Sequence, residues 1–561
     1  MTFFQQPPQL NHPLHGDRLL REYIERHFPE TYRAEILPEL TALGDQIQRE
    51  LYPHALENRL EKPTLVQWDA WGNRADEIKV PEAWERFARI ATEQGLIWRG
   101  YDKRYGEVAR LDQFVRAYLL DRVTHTYNCP LAMTDGTTRT LLSHGNEAIR
   151  ERALPNLLER TPGKAWTAGQ WMTERTGGSD VGISETRAVK TEDGWRLYGT
   201  KWFTSATTSE IALTLARPEG NPAGGKGLAL FYIEQRNKEG KLQGIRVNRL
   251  KEKLGTWMLP TAELTLDGVP AIPVAGLSNG IRNISPLLNV TRTWNSVCAV
   301  ASMRHGIRLA KDYATKRVAF GRPLSEQPLH VDTLAGMQAE FEAAFHLTFA
   351  QVRLLGKSDC GATTESEEKA LRLLFPLVKL STARMAVANA TESLEAFGGA
   401  GYVEDTGLPQ LLRDTQVLAI WEGTTNVLSL DGLRAIARED ALPSFLEMMS
   451  SLLDGTQEPE AKKLGAHGLN VARQAAHWLQ ENQNRRAALE SGARRFALTL
   501  SRSMALVLMA NHASWASLKE GESSASLAAA RRFAIHGVNQ LPGNDISESD
   551  SALLAADPVE S

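Results

Sequence analysis

The chain has 561 residues, of which 42% are hydrophobic and 23% charged, and its formal net charge is -3. These values are typical of a globular protein with three or four domains, and they argue against whole-molecule electrostatic attraction to nucleic acid or anionic membrane. Its three cysteines are too few and too scattered for a disulfide framework or a zinc site. We therefore expect no metal and a reducing compartment.

Segments for targeting or membrane insertion are not recognisable. No apolar run approaches the roughly 20 residues that span a bilayer. The N-terminal MTFFQQPPQLNHPLHGDR is neither a signal peptide nor an arginine-rich transit peptide, and the C-terminal PVES is not a peroxisomal signal. These features predict a cytoplasmic protein without a membrane partner.

The first segment, residues 1–165, is predicted to be a helical domain. In RLLREYIERHF and QFVRAYLLDRV apolar residues recur at spacings of three and four. Residues 166–280 then change to a period of two, in GWRLYGTKWFT, EIALTLARP, GLALFYIEQ and AELTLDGVPAIPV. This segment predicts a β domain. Its loop NPAGGKG, residues 221–227, is predicted to connect two strands, because a phosphate cradle would need a following helix.

Two polar clusters lie within the β domain. In MTERTGGSDVG a strand end is followed by two glycines, Ser179 and Asp180, which expose successive backbone N–H groups to a polar, planar ligand. A simple tight turn is the alternative. The strand GTKWFTSA, residues 199–206, alternates aromatic and hydroxyl side chains, as contact with a flat ring requires.

Helical periodicity returns over residues 281–440. One helix is predicted to place an apolar face towards the core, and Thr364 with Glu367 matches a capping box. That face consists of Leu334, Met337, Phe341, Phe345, Val352 and Leu355. Residues 441–540 are predicted to form an additional helical domain and residues 541–561 an acidic disordered tail.

The run IWEGTTNV, Ile420–Val427, is the candidate for catalysis. Glu422 lies between a bulky aromatic and a glycine, and we expect Trp421 and Ile420 to exclude water from it. Desolvation would make this carboxylate basic enough to take a proton from carbon. The alternative is a helix-start glutamate paired with Arg413.

Six segments, in this order, resemble the acyl-CoA dehydrogenase family over about residues 168–433. They are TERTGGSDVG, GTKWFTS, KLGTWMLPTAELTLDGVPAIP, RVAFGRPL, AFGGAGYVED and LLRDTQVLAIWEGTTNVLSLDGLR. The resemblance implies an α+β fold with an N-terminal helical domain, a central β-barrel or sandwich and a C-terminal four-helix bundle. It also implies FAD, a homotetramer with FAD sites shared between subunits, an acyl-CoA or related thioester as substrate, and an acceptor such as electron-transfer flavoprotein.

The resemblance further implies roles for individual residues. Glu422 matches the base that removes the α proton of the thioester while the β carbon gives hydride to FAD. Arg292 matches an arginine near the active site at the start of a long helix, and Ser179 and Gly423 also match substrate contacts. The implied cofactor contacts are Met172, Thr173, Gly178, Ser179, Phe203, Thr204, Ser205, Arg317, Phe320, Gly398, Gly399, Trp421, Thr424 and Asn426.

Departures from the short family members are similar to the AidB-like subgroup. They are the longer N-terminus, Trp421 where tyrosine is usual, Glu395 where glutamine is usual, and the additional helical domain. Three functions stay open: a dehydrogenase, an AidB-like protein that binds nucleic acid or sequesters acyl-CoA with weak turnover, and an oxidase of the same fold.

DNA binding is only weakly supported by charge. Residues 441–540 carry 11 Lys plus Arg against 8 Asp plus Glu, a balance of 11 - 8 = +3. Three arginine pairs in this domain could line one face, although arginines on exposed helices are usually solvated. The pairs are Arg485–Arg486, Arg494–Arg495 and Arg531–Arg532.

Overall fold

The computed structural model describes residues 5–124, 126–520, 525–541 and 548–556. The chain divides into two units, and each is described by itself. The first comprises Met1–Lys316 and Ala386–Glu422, and the second Arg317–Met385 and Gly423–Ser561. Within the described ranges, no helix has both the length and the apolar character needed to cross a membrane.

The N-terminal part of the first unit is mostly helical, as predicted, but it contains one β-hairpin that the periodicity did not indicate. The Asp69 carboxylate accepts hydrogen bonds from the backbone N–H groups of Trp71 and Asn73, both at 2.8 Å, and Gly72 has a φ of 83°. This local turn brings two short strands together. The elements are α1 (Arg18–His27), α2 (Glu30–Gln46), α3 (Tyr52–Glu57), β1 (Thr64–Trp68), β2 (Arg74–Lys79), α4 (Glu82–Glu93), α5 (Ala109–Leu120), α6 (Asn128–His144) and α7 (Glu147–Leu157).

The predicted β domain is a barrel. Its pairing path returns to its starting strand in the order β6–β4–β5–β9–β7–β6, while β3 pairs with β6 and β8 with β9. A closed path leaves no edge within the ring. The strands are β3 (Ala168–Trp171), β4 (Arg187–Thr191), β5 (Gly194–Ser205), β6 (Ile211–Pro218), β7 (Ala229–Glu234), β8 (Ile245–Leu250) and β9 (Thr261–Pro273).

Strand β6 shows why the barrel forms. Ile211, Leu213 and Leu215 pack in one apolar cluster with residues of α6 and α7, whereas Ala212 and Ala216 pack in a second cluster with residues of β5, β7 and β9. Both faces are therefore buried, which explains the continuous apolar run. The loop NPAGGKG joins β6 to β7, as predicted.

The remaining elements are mainly long helices. They are α8 (Gly280–Asn283), α9 (Ser285–Lys316), β10 (Val318–Ala319), β11 (Arg322–Pro323), α10 (Pro328–Asp359), α11 (Glu365–Glu395), α12 (Leu408–Gln416), α13 (Thr425–Glu439), α14 (Ala441–Asp454), α15 (Pro459–Asn482), α16 (Arg486–Glu520), α17 (Ala525–Ile535) and α18 (Glu548–Ala556).

Helix α9 is fixed against α6 within the first unit. A Cβ added to Gly136 of α6 would lie 2.7 Å from the Leu287 side chain, so this glycine permits the close approach of the two helices. The Trp294 indole donates a hydrogen bond to the buried Asp135 carboxylate at 2.8 Å. These contacts set the position of the part of α9 that carries Thr291 and Arg292.

In the second unit, two predictions about helices are confirmed. All six residues of the predicted apolar face of α10 are buried. Thr364 and Glu367 form the reciprocal capping box, with distances of 2.8 and 3.2 Å. The C-terminal helices pack on this part of the unit, since the Ser501 hydroxyl donates to the Leu377 carbonyl oxygen and Arg502 pairs with Glu340 at 2.9 Å.

The prediction of a disordered tail is wrong for Glu548–Ala556, which form α18. Alanine and leucine, the strongest helix formers, make up five of these nine residues, and this local propensity outweighs the acidic composition. Residues 542–547 and 557–561 lie outside the described residues.

Candidate functional site

Glu422 lies in an irregular loop with an unusual backbone conformation. Its φ is 58° and that of Gly423 is 103°. A left-handed conformation is common for glycine but costs a side-chain-bearing residue of order 1–3 kcal/mol, and such residues cluster at functional sites. The strain therefore marks Glu422 as a candidate functional residue.

Helix α9 holds this glutamate. The Thr291 hydroxyl donates to Glu422 Oε2 at 2.6 Å, and Arg292 Nε lies 3.4 Å from the Glu422 carbonyl oxygen. Thr291 is buried, with 2% exposure. A hydrogen bond donated to a carboxylate favours the ionised form, which is the form that accepts a proton.

Two expectations about this loop need correction. Arg413 pairs with Glu404, so Glu422 is not the helix-start partner of this arginine. Ile420 is 62% exposed in this single chain because it follows a short 3-10 helix and points outwards, so it does not shield the carboxylate here. Trp421 is half-buried.

The half-buried Cys129 is influenced by the same carboxylate. Burial raises the pKa of Cys129, on α6, to about 12; Glu422 acts in the same direction, while Lys253 and a hydrogen bond with Ser205 oppose it. A thiol with so high a pKa stays protonated and is a poor nucleophile, so the site is not arranged for thiolate chemistry.

A chain of polar groups runs from Lys253 to Ser205. The Lys253 ammonium donates to the carbonyl oxygens of Thr256 and Leu259, at 2.7 and 2.8 Å, and to the Thr261 hydroxyl at 3.1 Å. Thr261 in turn lies 3.1 Å from the Ser205 hydroxyl. Burial lowers the pKa of Lys253 to about 8. Because Thr261 accepts from the ammonium, its own proton can go to Ser205, which also hydrogen-bonds with Cys129.

The two predicted cofactor segments of the β domain are joined by a buried ion pair. Lys201 Nζ lies 2.7 Å from Glu174 Oε1, with 0% and 2% of the two side chains exposed. Trp202 N–H also donates to the Thr173 carbonyl oxygen at 3.0 Å. Burial alone would raise the pKa of Glu174, but the Lys201 ammonium and neighbouring donors outweigh it and hold this pKa below its ordinary value.

The glycine-rich turn is built around Thr173. A Cβ at Gly178 would lie 2.7 Å from the Thr173 hydroxyl, so only glycine permits this approach without movement. Gly178 and Ser179 are exposed, whereas Met172 and Thr173 are half-buried. The exposed glycine-rich turn therefore packs against the half-buried Thr173 hydroxyl.

The neighbouring segment of β5 presents alternate side chains. Phe203 is 51% exposed and Ser205 is half-buried. Thr204 differs, because it is fully buried and its hydroxyl donates to the Ala262 carbonyl oxygen at 2.6 Å. Gly398 and Gly399 are exposed at the start of a 3-10 helix, and a Cβ on either would meet no heavy atom within 4 Å.

The second unit carries the other predicted contacts. Phe320 and Gly321, with φ of 51° and 84°, form the two-residue turn between β10 and β11, and Phe320 is 98% exposed. Thr424 caps α13 by accepting from Val427 N–H at 3.4 Å, and Asn426 is exposed. The Gly423 carbonyl oxygen accepts from the fully buried Lys379 ammonium at 2.7 Å. Arg317 immediately precedes β10 and is half-buried.

Three of the six arginines of the predicted stripe form ion pairs. Arg486 pairs with Glu490, Arg531 with Glu460, and Arg532 with Asp332. Arg494 and Arg495 take part in none of the ion pairs found between described residues. DNA binding stays a prediction, with fewer arginines available for it.

Sequence reasoning proposed Glu422 as the candidate base but missed Thr291, which hydrogen-bonds to it, and the polar groups of Cys129, Lys253 and Thr261 in the same unit. Thr291 directly precedes the predicted Arg292, and Lys253 begins the segment KLGTW, so both lay beside recognised motifs. Cys129 could not be predicted as a site residue, because helix α6, which carries it, is far in sequence from the recognised motifs.

Models of protein families match consecutive parts of the chain. The adaptive response protein AidB N-terminal domain matches residues 5–161, the acyl-CoA dehydrogenase middle domain 169–269, the acyl-CoA dehydrogenase C-terminal domain 278–437, and the acyl-CoA dehydrogenase 11 C-terminal domain-like family 440–553.

Individual proteins match over most of their length. The chain is 41% identical to acyl-CoA dehydrogenase family member 11 of Caenorhabditis elegans, covering 91% of this chain and 86% of that protein. It is 31% identical to AidB of Escherichia coli strain K12, covering 68% and 71%. The solved structure of C. elegans ACDH-11 in complex with C11-CoA matches with a TM-score of 0.93 and 37% identity, covering 100% of this chain and 97% of that one.

Proposed function

The chain belongs to the acyl-CoA dehydrogenase family, and we propose that it is an FAD-dependent enzyme that introduces an α,β double bond into an acyl-CoA, with Glu422 as the base. The predicted AidB-like subgroup is confirmed by the matches of its N-terminal domain and of AidB itself. The observation that carries the proposal is the strained backbone of Glu422 together with the short hydrogen bond from Thr291.

The residues of the first unit fit a flavin. The exposed Phe203 ring offers a flat apolar surface, Ser205 on the same strand adds a half-buried hydroxyl, and Gly178 and Ser179 are exposed in the glycine-rich turn. Met172, Thr173, Ser179 and Trp421 would complete these contacts, and Gly398 and Gly399 would reach the FAD of a neighbouring subunit. Bound FAD supplies the acceptor for the hydride that leaves the β carbon.

Glu422 supplies the proton acceptor. Its carboxylate takes the α proton of the thioester and becomes a carboxylic acid, while Thr291 keeps Oε2 in place. We assign Arg292 to positioning of this loop, because its Nε approaches the Glu422 carbonyl oxygen. The similarity to ACDH-11 bound to C11-CoA supports a medium- or long-chain acyl-CoA as substrate.

We further propose a homotetramer in which Arg317 and Phe320 contact the FAD of a neighbouring subunit. An aromatic side chain that is 98% exposed at a hairpin tip supports burial in an assembly. Phe320→Ala should lower the FAD content and the oligomer mass measured by light scattering. Electron-transfer flavoprotein as acceptor and a cytoplasmic location stay predictions, testable by coupled reoxidation and by cell fractionation.

A substrate screen tests the activity. The purified yellow protein is mixed anaerobically with saturated acyl-CoAs from short to long, including C11-CoA, and flavin absorbance is followed. We expect bleaching by a subset of chain lengths and none in Glu422→Gln with FAD still bound. Tight acyl-CoA binding without bleaching would favour the sequestering alternative. Rapid reoxidation in air with stoichiometric peroxide would favour an oxidase.

A further inference from the structure

We propose that the Thr291 hydroxyl is a positioning group that holds Glu422 in both of its protonation states, and so keeps the base in place before and after proton transfer. The proposal rests on the proposed function, in which Glu422 takes the α proton. It goes further by assigning a role to a residue that does not itself react.

The geometry gives this hydroxyl two acceptors. Its oxygen lies 2.6 Å from Glu422 Oε2 and 3.1 Å from the carbonyl oxygen of Leu288, three residues earlier on α9. One hydroxyl carries a single proton, so it can donate fully to only one of them at a time, while its oxygen can accept a further hydrogen bond.

The charge of Glu422 decides which acceptor is used. When Glu422 is ionised, the shorter, charge-assisted bond to Oε2 is the stronger one, and the Thr291 proton points to the carboxylate. When Glu422 is protonated, its own O–H can donate to the Thr291 oxygen, and the Thr291 proton turns to Leu288. Only a rotation about the Cβ–Oγ1 bond is needed, and no heavy atom moves.

This arrangement matters because Thr291 is fixed by its surroundings. With 2% exposure it has little access to water, and β-branching restricts its χ1 angle on a helix. A preorganised group that satisfies both states of a base reduces the rearrangement that accompanies proton transfer. The alternative is that Thr291 only makes the ordinary helical bond to the residue three positions back, and its contact with Glu422 has no effect on the reaction.

Thr293 distinguishes these two roles. It lies on the same helix, is fully buried, and donates to the Asn289 carbonyl oxygen at 2.9 Å. A valine at position 293 therefore removes a comparable helical hydrogen bond without touching the hydroxyl beside Glu422. Thr293→Val is the matched control for Thr291→Val, and Thr291→Ser restores the hydroxyl.

The experiment is rapid anaerobic mixing of each FAD-loaded variant with the acyl-CoA that reduces the wild type fastest, beginning with C11-CoA, over a range of pH. In Thr291→Val the ionised Glu422 carboxylate loses one hydrogen-bond donor. The pH below which the rate of flavin reduction falls should therefore rise by about one unit, which corresponds to a roughly tenfold change in the ionised fraction of Glu422. Thr291→Ser should restore the wild-type pH dependence of the reduction rate. Thr293→Val should leave this pH dependence unchanged.

The proposal is wrong if Thr291→Val leaves the pH dependence of flavin reduction unchanged, or if Thr293→Val shifts it by an equal amount. Either result is compatible with the proposed dehydrogenase function. If Glu422→Gln still reduces the flavin, the assigned base itself is wrong and both proposals fail. Should Thr291→Val not fold, the comparison of Thr291→Ala with Thr291→Ser measures the same shift.

Discussion

Two glutamates of the first unit, Glu174 and Glu422, lie on segments assigned to the same site but have opposite surroundings. Glu174 is 2% exposed and accepts from the Lys201 ammonium, the Thr186 hydroxyl and two backbone N–H groups. Glu422 is half-buried, occupies a strained backbone conformation, and is held at Oε2 by a hydroxyl.

The comparison shows that burial alone does not make a base. A carboxylate saturated by a cation and several donors is stabilised in its ionised form and resists protonation. A carboxylate held by a hydroxyl, which can both donate and accept, has a partner in either state. Glu174 therefore connects two segments of the fold, and Glu422 is the group suited to proton transfer.

Glu422→Gln should lower the rate of flavin reduction more strongly than any other substitution proposed for this chain. An amide cannot take the α proton, so flavin reduction should fall by about 10³-fold or more, while the free energy of unfolding changes by less than about 1 kcal/mol. Stopped-flow absorbance and urea unfolding measure the two quantities. Glu192→Gln, in an exposed turn, is the control and should change neither. A large loss of stability in Glu422→Gln would remove the distinction between the two glutamates.

Lys201→Met should have its main effect on stability. It leaves the Glu174 carboxylate buried without its cation, and we expect a loss of about 3–5 kcal/mol in the free energy of unfolding. Lys190→Met, on the exposed surface of β4, should cost less than about 1 kcal/mol. Equal effects of the two substitutions would show that the buried pair does not hold the strands.

Gly178→Ala should weaken FAD binding. The added Cβ would lie 2.7 Å from the Thr173 hydroxyl, and relieving the clash costs about 1–3 kcal/mol. We expect the Kd for FAD, measured by fluorescence quenching, to rise about tenfold. Gly224→Ala, in the open loop between β6 and β7, adds a Cβ that meets no atom within 4 Å, but it strains a backbone whose φ is 84°, a strain that Gly178 does not have. It therefore controls for a general loss of stability in the β domain. An unchanged Kd in Gly178→Ala would exclude a role for this turn.

Lys253→Met should change the way in which stability depends on pH. The pKa of Lys253 is about 8 in the folded protein and near 10.4 in an unfolded chain, so the unfolded chain binds more protons between these values. The stability contributed by this group therefore rises with pH over that window. Compared with Lys253→Met, the wild type should gain stability from about pH 8 to 10 in urea unfolding. If the free energies of unfolding of the wild type and of Lys253→Met change equally with pH, the lowered pKa of Lys253 does not contribute to stability.

Much of the fold could be predicted because its signals are local. The period-two strands in residues 166–280, the apolar face of α10 and the capping box at Thr364 follow from neighbouring residues, and all are present. The β1–β2 hairpin was missed because it depends on one aspartate that organises its turn. Helix α18 was missed because acidic composition was weighed above the helix propensity of alanine and leucine.

The family and the order of the domains follow from motif residues and periodicity along the chain, and the same motifs make Glu422 the candidate base. The groups that surround this carboxylate could not be predicted in that way, because they come from distant parts of the chain. Thr291, whose hydroxyl donates to Glu422 Oε2, lies 131 residues earlier in the chain. Hydrogen bonds and desolvation act over a few ångströms in space, so the chemistry of Glu422 depends on packing that no stretch of sequence contains.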